Sequence, residues 1–213
     1  EPHFTALGKS AIVIKPWYVE VFGSPVSIGD HVTIVATSDH RVRLSVWSDH
    51  QVNEQIQIGN YGIICPGVRI SSASKIHIGD NCMLASGVYL TDSDWHDIYD
   101  RTAPGQGAPI AIGDNVWLGD SAIVCKGVSV GENSIIGAGA VVVDDVPANA
   151  VAAGNPARVV KQLDKDHPLT TRRDWFADPA QLSQDFRVWD QALLQGNTLG
   201  HWFRYLWRPN RGD

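Results

Sequence analysis

The chain has 213 residues, 44% of them hydrophobic, and a formal net charge of -6 at pH 7. That length suits one domain with an appendage, and the charge argues against broad attraction to nucleic acid. No apolar run approaches the ~20 residues that span a bilayer, the first residues lack the charged and apolar regions of a signal peptide, and the three cysteines lack zinc-site spacing. We therefore expect a cytoplasmic protein with reduced thiols.

After an apolar and aromatic stretch at 1–27, which we interpret as an N-terminal cap, aliphatic residues recur every six positions over residues 28–147. The pattern begins with Ile28, Ile34, Val46, Val52, Ile58, Ile64 and Ile70, with His40 in the one irregular slot. After a two-residue insertion and, later, a long interruption, it continues with Ile78, Leu84, Leu90, Ile112, Leu118, Val124, Val130, Ile136 and Val142. This period is neither that of a helix nor simple strand alternation.

A six-residue step suits a short strand followed by a tight corner, with the aliphatic side chain pointing inward. Burying one such side chain is worth roughly 1.5–3 kcal/mol, whereas ordering each backbone residue costs roughly 1–2 kcal/mol. A single coil is therefore unstable, and stacked coils are needed to add a continuous core and ladder hydrogen bonds. The period predicts an all-β solenoid of parallel strands, and it does not set the hand of the coil.

Two segments break the period. Residues 91–111 form a polar loop that returns through a Pro- and Gly-rich stretch, and a loop of this length in a compact solenoid is more often functional than structural. The repeat then ends in a closing segment at 148–163.

The tail, 164–213, has a different composition and carries four of the eight tryptophans. Helical patterns cover 179–195 and 198–207, and one helix face gathers Phe186, Trp189, Leu193 and Leu194. Two interpretations of the tail stay open, namely packing on a neighbouring protein surface and peripheral contact with a membrane interface.

Three motifs carry a family resemblance. Residues 108–119 read Ala-Pro-Ile-Ala-Ile-Gly-Asp-Asn-Val-Trp-Leu-Gly, residues 136–142 read Ile-Gly-Ala-Gly-Ala-Val-Val, and residues 154–158 read Gly-Asn-Pro-Ala-Arg. Together with the histidine-bearing loop, they resemble the hexapeptide acyltransferase superfamily, most of all the galactoside, maltose and xenobiotic O-acetyltransferases and their polysaccharide-modifying relatives. The resemblance covers roughly residues 25–163.

The resemblance implies a left-handed parallel β-helix and a homotrimer with active sites between subunits. It also implies transfer of an acetyl group from acetyl-coenzyme A to a hydroxyl of a saccharide or saccharide-lipid acceptor, without a metal.

The resemblance assigns the catalytic histidine of the loop to His96. Its chemistry is that of a general base, because a sugar hydroxyl is a poor nucleophile until its proton is removed, and imidazole titrates near neutrality. Asp94 is our first choice for the group that orients the ring, with Asp92, Asp97 or a backbone carbonyl as alternatives. His50 lies in a similar local sequence but lacks the family match.

For the donor, the resemblance implies that Trp117 forms a wall of the acyl or pantetheine channel. Backbone amides around Asp120 and Ala138 would meet the pantetheine arm, and Arg158 and Lys161 would lie near the nucleotide phosphates, where paired cations bind well.

Two positions depart from the family pattern. An asparagine that faces the acceptor in the sugar acetyltransferases falls on Cys65, and a basic residue of the last coil falls on Asp144. The first departure puts in question whether the acceptor binds as it does in the sugar acetyltransferases. The second puts in question the contacts to the nucleotide of the donor.

Three other functions remain open at this stage. A β-helix carbonic anhydrase would need an HxxxxH pair, but Arg101 stands five residues after His96. The cluster Asp92, Asp94, His96 and Asp97 offers hard ligands for a cation with unspecific spacing. A non-catalytic binding or structural solenoid is the third.

Overall fold

The computed structural model describes residues 4–47, 55–193, 195 and 198–207. The chain forms two compact units, Glu1–Arg173 and Asp174–Asp213. The first unit is a left-handed parallel β-helix, as predicted, with three short strands in each coil. Each coil adds one strand to each of three sheets.

In chain order the strands are β1 Ala6–Leu7, β2 Ile12–Ile14, β3 Val19–Phe22, β4 Val26–Ile28, β5 Thr33–Val35, β6 Val42–Val46, β7 Ile56–Ile58, β8 Ile63–Ile64, β9 Arg69–Ser72, β10 Ile76–Ile78, β11 Met83–Leu84, β12 Tyr89–Thr91, β13 Ile110–Ile112, β14 Trp117–Leu118, β15 Ile123–Val124, β16 Ser129–Val130, β17 Ile135–Ile136, β18 Val141–Val142, β19 Ala150–Ala153 and β20 Arg158–Gln162. The first sheet contains β1, β4, β7, β10, β13 and β16; the second contains β2, β5, β8, β11, β14, β17, β19 and β20; the third contains β3, β6, β9, β12, β15 and β18. Neighbouring strands pair in parallel, except for the antiparallel pair β19–β20.

Inward aliphatic side chains form three columns, one for each sheet. The columns are Ile28, Ile58, Ile78, Ile112 and Val130 in the first sheet, Ile34, Ile64, Leu84, Leu118 and Ile136 in the second, and Leu44, Ile70, Leu90, Val124 and Val142 in the third. Each member is at most 5% exposed. The six-residue period therefore marks the core, as expected.

Polar side chains stack at the corner that joins the first sheet to the second. The backbone N–H of Asp30 donates to Asn60 Oδ1 (2.8 Å), that of Asn60 to Asp80 Oδ1 (2.7 Å), and that of Asp80 to Asp114 Oδ1 (2.8 Å). Each coil thus satisfies a turn amide of the coil before it, which locks the register between coils.

The assignment of His40 to an inward slot is wrong, because His40 is exposed and Leu44 fills the third-sheet position. Thirty residues separate Ile28 from its partner Ile58, whereas eighteen separate Ile112 from Val130. The extra length equals two full repeats. The aliphatic residues after this coil therefore keep the same six-residue phase as those before it, and the phase does not reveal the residues inserted within the coil. Val52, assigned to the same run, and His50 lie outside the described residues.

Residues 6–22, assigned from sequence to a cap, form the first coil. The strands β1, β2 and β3 pair in parallel with β4, β5 and β6. Val13 and Val21 pack against the core, although a 3₁₀ helix at Pro16–Tyr18 lengthens the connection between them. That longer connection breaks the six-residue spacing, and the pattern was therefore not visible in the sequence.

In the described part of the tail, three helices follow the β-helix, namely α1 Arg172–Phe176, α2 Pro179–Leu193 and α3 Leu199–Trp207. The sequence predicted the second and third, and missed the five-residue first. Arg172 and Arg173 belong to the first unit, where Arg172 Nε donates to the Tyr61 carbonyl (2.7 Å) and the Arg173 amide to Asn81 Oδ1 (2.9 Å). The tail therefore separates at 173, later than the predicted boundary at 163.

Within the second unit, the ring of Trp175 lies 5.4 Å from that of Phe186. The face predicted to carry Phe186, Trp189, Leu193 and Leu194 lies partly outside the described residues, because Leu194 and the side chains of Trp189 and Leu193 are not among them.

We predict that Gly29→Ala destabilises the β-helix. A Cβ at Gly29 would lie 2.6 Å from the carbonyl carbon of Gly59 in the next coil, so the coils would have to separate. The expected loss is about 1–3 kcal/mol in the free energy of unfolding, measured by urea denaturation at one protein concentration.

Gly62→Ala is the matched control, because its Cβ would meet its nearest neighbour, the Cys82 carbonyl oxygen, at an ordinary 3.5 Å. This variant should stay within about 1 kcal/mol of wild type. Equal stability of the Gly29 and Gly62 variants would contradict the packing argument.

Candidate functional site

The loop that carries His96 leaves the β-helix after Thr91 and returns at Ile110, so it projects from the corner between the third and first sheets. Its first residue, Asp92, is fully buried. The Asp92 carboxylate accepts hydrogen bonds from Ser72 Oγ (2.7 Å) and from the amides of Ala73 (2.7 Å) and Ser74 (3.0 Å). Asp92 therefore anchors the base of the loop.

Asp94 is held by the next coil. Its carboxylate forms an ion pair with Lys126, and the Lys126 ammonium also donates to the Gln106 carbonyl (3.1 Å) on the returning arm of the loop. Gly105 packs tightly against the same place, since a Cβ there would lie 2.7 Å from the His96 carbonyl oxygen. Lys126 thus ties both arms of the loop to the β-helix.

His96 is exposed at the outer part of this loop. Its backbone N–H donates to the Asp94 carbonyl (2.7 Å), and no hydrogen bond joins its ring to another described residue. Asp97 is engaged elsewhere, because Asp97 Oδ1 accepts from the amides of Tyr99 (2.8 Å) and Asp100 (2.9 Å). Among the described residues, no carboxylate therefore orients the imidazole, and Asp94 fixes the loop backbone instead.

Trp117 lies on the outer face of the second sheet and is 46% exposed. The strand register places it beside Ile135, Ile135 beside Val151, and Val151 beside Lys161. An indole and a lysine therefore stand at the two ends of one outward row, three strand spacings or about 14 Å apart. The predicted donor residues Trp117 and Lys161 share one face.

Asp120 and Ala138 lie one above the other at the adjoining corner, where the Gly139 amide donates to the Asp120 carbonyl (2.7 Å). Both residues are exposed, and neither of their own N–H groups donates to another described residue. The turn amides of the Asp30–Asp114 stack donate to the next coil. Those of Asp120 and Ala138 do not, so they are available to an acceptor outside the chain.

Arg158 begins β20 and already has a carboxylate partner. Its guanidinium lies 2.9 Å from Asp144, and both side chains are exposed. Asp144 is one of the two departures from the family pattern, so the acidic residue there offsets part of the positive charge that Arg158 offers.

The structure thus brings Trp117, Asp120, Ala138, Arg158 and Lys161 together on the second sheet and its adjoining corner, and leaves His96 apart from them. The histidine loop projects from the opposite corner of the same triangular coil. Within one chain, the loop and Trp117 therefore lie on different sides of the coil.

Lys126, which the sequence analysis missed, is a second support of the loop, after Asp92. The residue follows Cys125 in a regular repeat, and nothing in the local pattern distinguishes it from a solvated lysine. Only the stacking of coils brings it under Asp94.

The cysteines are poor nucleophiles in this fold. Burial raises the pKa of Cys82 to about 12, and burial also raises the pKa of half-buried Cys65. Because the thiolate is the reactive form, a reactive thiol at Cys65 is disfavoured.

The cation cluster considered for Asp92, Asp94, His96 and Asp97 does not form. Their carboxylates have the separate partners described above, and among the described residues no group of three His, Cys, Asp or Glu side chains could hold a metal ion. Likewise, no helix within the described part of the chain is long and apolar enough to cross a membrane.

Comparison with known proteins agrees with this fold. The family model for the bacterial transferase hexapeptide (six repeats) matches residues 109–144, and that for the hexapeptide repeat of succinyl-transferase matches residues 76–92. The repeat region of this chain is therefore similar to the hexapeptide-repeat transferases.

Individual relatives are named as acetyltransferases. The galactoside O-acetyltransferase of Escherichia coli is 42% identical over 94 residues, which cover 43% of this chain and 46% of the relative. A putative acetyltransferase of Saccharomyces cerevisiae is 38% identical over 104 residues, covering 48% and 53%. The chain thus spans about half the length of these curated relatives.

Among solved structures, AntD, an N-acyltransferase from Bacillus cereus, aligns with a TM-score of 0.63 over 92% of this chain and 94% of its own. At 17% identity, this likeness concerns the fold.

We predict that Lys126→Met loosens the His96 loop. The variant removes an ion pair and a hydrogen bond that join the two arms, so trypsin should cut after exposed Arg101 up to about fivefold faster, as expected for loss of a partly exposed pair. Mass spectrometry of a native digestion time course measures this rate.

Lys126→Arg, which keeps the cation, should be cut at a rate close to wild type. Equal cutting of the Met and Arg variants would show that Lys126 does not hold the loop.

Proposed function

We propose that this chain is an acetyl-coenzyme A-dependent O-acetyltransferase that acts on a hydroxyl group of a saccharide or saccharide-lipid acceptor, with His96 as general base. The observation that carries the proposal is the presentation of His96. The loop is anchored to the β-helix at two points, by Asp92 and by the ion pair of Asp94 with Lys126, and Gly105 packs tightly within it, while the ring of His96 accepts and donates no hydrogen bond among the described residues. A rigid backbone with an unengaged imidazole is the arrangement that a general base needs.

Acetyl-coenzyme A, when bound, supplies a thioester carbonyl for the acceptor oxygen to attack. His96 takes the proton of the acceptor hydroxyl as the new C–O bond forms. As the C–S bond breaks, the same imidazole returns that proton to the departing thiolate sulfur. His96 thus gives back the proton that it accepted, and its imidazole is neutral again at the end of the reaction.

The groups on the second sheet support binding of a coenzyme A chain there. The row Trp117, Ile135 and Val151 offers an apolar surface, and the unengaged amides of Asp120 and Ala138 offer donors for the amide carbonyls of a pantetheine arm. Lys161 has no ion-pair partner among the described residues, so its charge is available to a phosphate. Arg158 would contribute less, because Asp144 offsets part of its positive charge.

The separation of His96 from Trp117 within one chain supports a site shared between subunits. In a cyclic homotrimer, the loop of one protomer would meet the second sheet of its neighbour at each of the equivalent seams. We therefore propose the homotrimer as the active form.

We predict that His96→Ala lowers turnover by about 100-fold or more, because general-base assistance is typically worth 10²–10⁴-fold. Thiol release from acetyl-coenzyme A in the presence of a panel of sugars measures turnover, and calorimetry measures coenzyme A binding, which should not change.

His77→Ala is the matched control, since His77 is an exposed histidine on the first sheet, and it should retain full turnover. Wild-type turnover in His96→Ala would remove the mechanism. Parallel loss of coenzyme A binding would instead assign His96 a role in binding.

We further predict that two inactive variants restore each other. His96→Ala retains an intact second sheet, and Trp117→Ala retains an intact loop, so co-refolded mixtures should regain activity at seams where an intact loop faces an intact sheet. Random mixing in a cyclic trimer makes about a quarter of the sites intact.

Each variant alone must first run as a trimer by analytical ultracentrifugation. A mixture that forms mixed trimers and stays inactive would place the complete site within one chain.

A further inference from the structure

The outer face of the third sheet has a basic end. In-register pairing places Glu20 beside Arg43, Arg43 beside Arg69, and Arg69 beside Tyr89. A cavity of about 360 Å³ opens at this end, lined in part by Arg41, Arg43 and Arg69. Three guanidinium groups around one cavity stand out in a chain whose net charge is -6.

Two of these arginines are held by Glu20. Arg41 Nη1 lies 2.6 Å from Glu20 Oε1, and Arg43 Nε lies 2.7 Å from Glu20 Oε2. The hydrogen bonds from Arg41 and then Arg43 keep the pKa of Glu20 below its ordinary value, so it stays ionised and fixes both guanidinium groups. Asp39, also at the cavity, is paired with His40 (3.0 Å).

Arg69 has no carboxylate partner among the described residues. Its guanidinium carbon lies 4.2 Å from the centroid of the Tyr89 ring, so it stacks on an aromatic face, and its N–H groups donate to no other residue in the described part of the chain. The positive charges of Arg41, Arg43 and Arg69 outnumber the negative charges of Glu20 and Asp39, so the cavity has a net positive charge. An ordered arginine without a partner is suited to a carboxylate or phosphate.

The other end of the same face is aromatic. The ring of Phe22 lies 4.7 Å from that of Trp47, and the ring of Trp47 lies 6.2 Å from that of Trp95. A hydrogen bond from Trp95 Nε1 to Thr91 Oγ1 (2.9 Å) holds this indole at the base of the histidine loop. Trp95 directly precedes His96.

The two ends lie along one strand direction. Arg43 and Trp47 are both exposed and are separated by four residues, which corresponds to about 13 Å of extended chain. A ligand bound to both ends must therefore be several ångströms longer than one sugar ring, and must combine an anionic group with an apolar face.

We propose that the outer face of the third sheet binds an acidic oligosaccharide, with a sugar carboxylate on Arg69 and Arg43 and the apolar face of another sugar ring on Trp47 and Trp95. The placement of a sugar hydroxyl beside His96 rests on the proposed transferase function. The binding itself does not, since it needs neither acetyl-coenzyme A nor turnover.

Calorimetric titration tests the binding directly. The probes are a hyaluronan tetrasaccharide and tetragalacturonate, each compared with its carboxyl-reduced, neutral form, without acetyl-coenzyme A. Wild-type protein should bind at least one acidic probe about fivefold or more tightly than its neutral form, and added salt should weaken that preference.

The variants separate the two ends of the face. Arg69→Gln should abolish the preference for the acidic probe, whereas Trp47→Ala should weaken the acidic and neutral forms alike. Lys9→Gln, which removes an exposed cation on a different corner of the β-helix, should bind as wild type.

Several outcomes would overturn the proposal. These are failure of every acidic probe to bind, equal binding of acidic and neutral forms, and a preference that survives Arg69→Gln. Weaker coenzyme A binding by Arg69→Gln would reassign the cavity to the phosphates of the donor. Loss of turnover in His96→Ala leaves all of these measurements unaffected, so the transferase function and the acceptor site are judged separately.

Discussion

Close stacking of parallel coils is the constraint on which the rest of this structure depends. Inward aliphatic residues in register, such as Ile58 on Ile78, form three continuous columns, and neighbouring coils lie so close that a corner such as Gly29 has no room for a Cβ. One coil buries too little surface to be stable alone, so stability comes from the stack. The same register also aligns every outward side chain with one above and one below it.

Because the outward side chains of successive coils are in register, each face of the β-helix carries straight rows of side chains. On the second sheet it places Trp117 and Lys161 in one row, and on the third it places Arg43, Arg69 and Tyr89 in another. A binding face on a β-helix is therefore specified by residues at equivalent positions of successive coils, which lie far apart in sequence. Strand order fixes the spacing between them at about 4.8 Å.

Insertions at the corners carry side chains beyond the surface of the regular coil. The loop after Thr91 carries His96 away from the prism, and its anchors all come from outside its own outer part, namely the buried bonds of Asp92 and the ion pair of Asp94 with Lys126. The loop and the Trp117 face point away from one another in a single chain. The proposed transferase site would therefore require association of subunits, with the loop of one protomer beside the second sheet of another.

The sequence by itself determined the solenoid, the exposed loop and the presence of helices in the tail, because each inward residue and each helix face leaves a local periodic pattern. The sequence did not reveal the first coil, because a 3₁₀ helix interrupts its six-residue spacing. It also did not reveal that His40 is exposed, because the insertions in that coil add up to two repeats and leave the six-residue phase unchanged. Only the tertiary structure decided that Lys126, rather than the His96 ring, is the partner of the Asp94 carboxylate, and that three arginines share a cavity. Those contacts join residues of different coils, and no local pattern in a sequence encodes which outward side chains the stacking of coils will bring together.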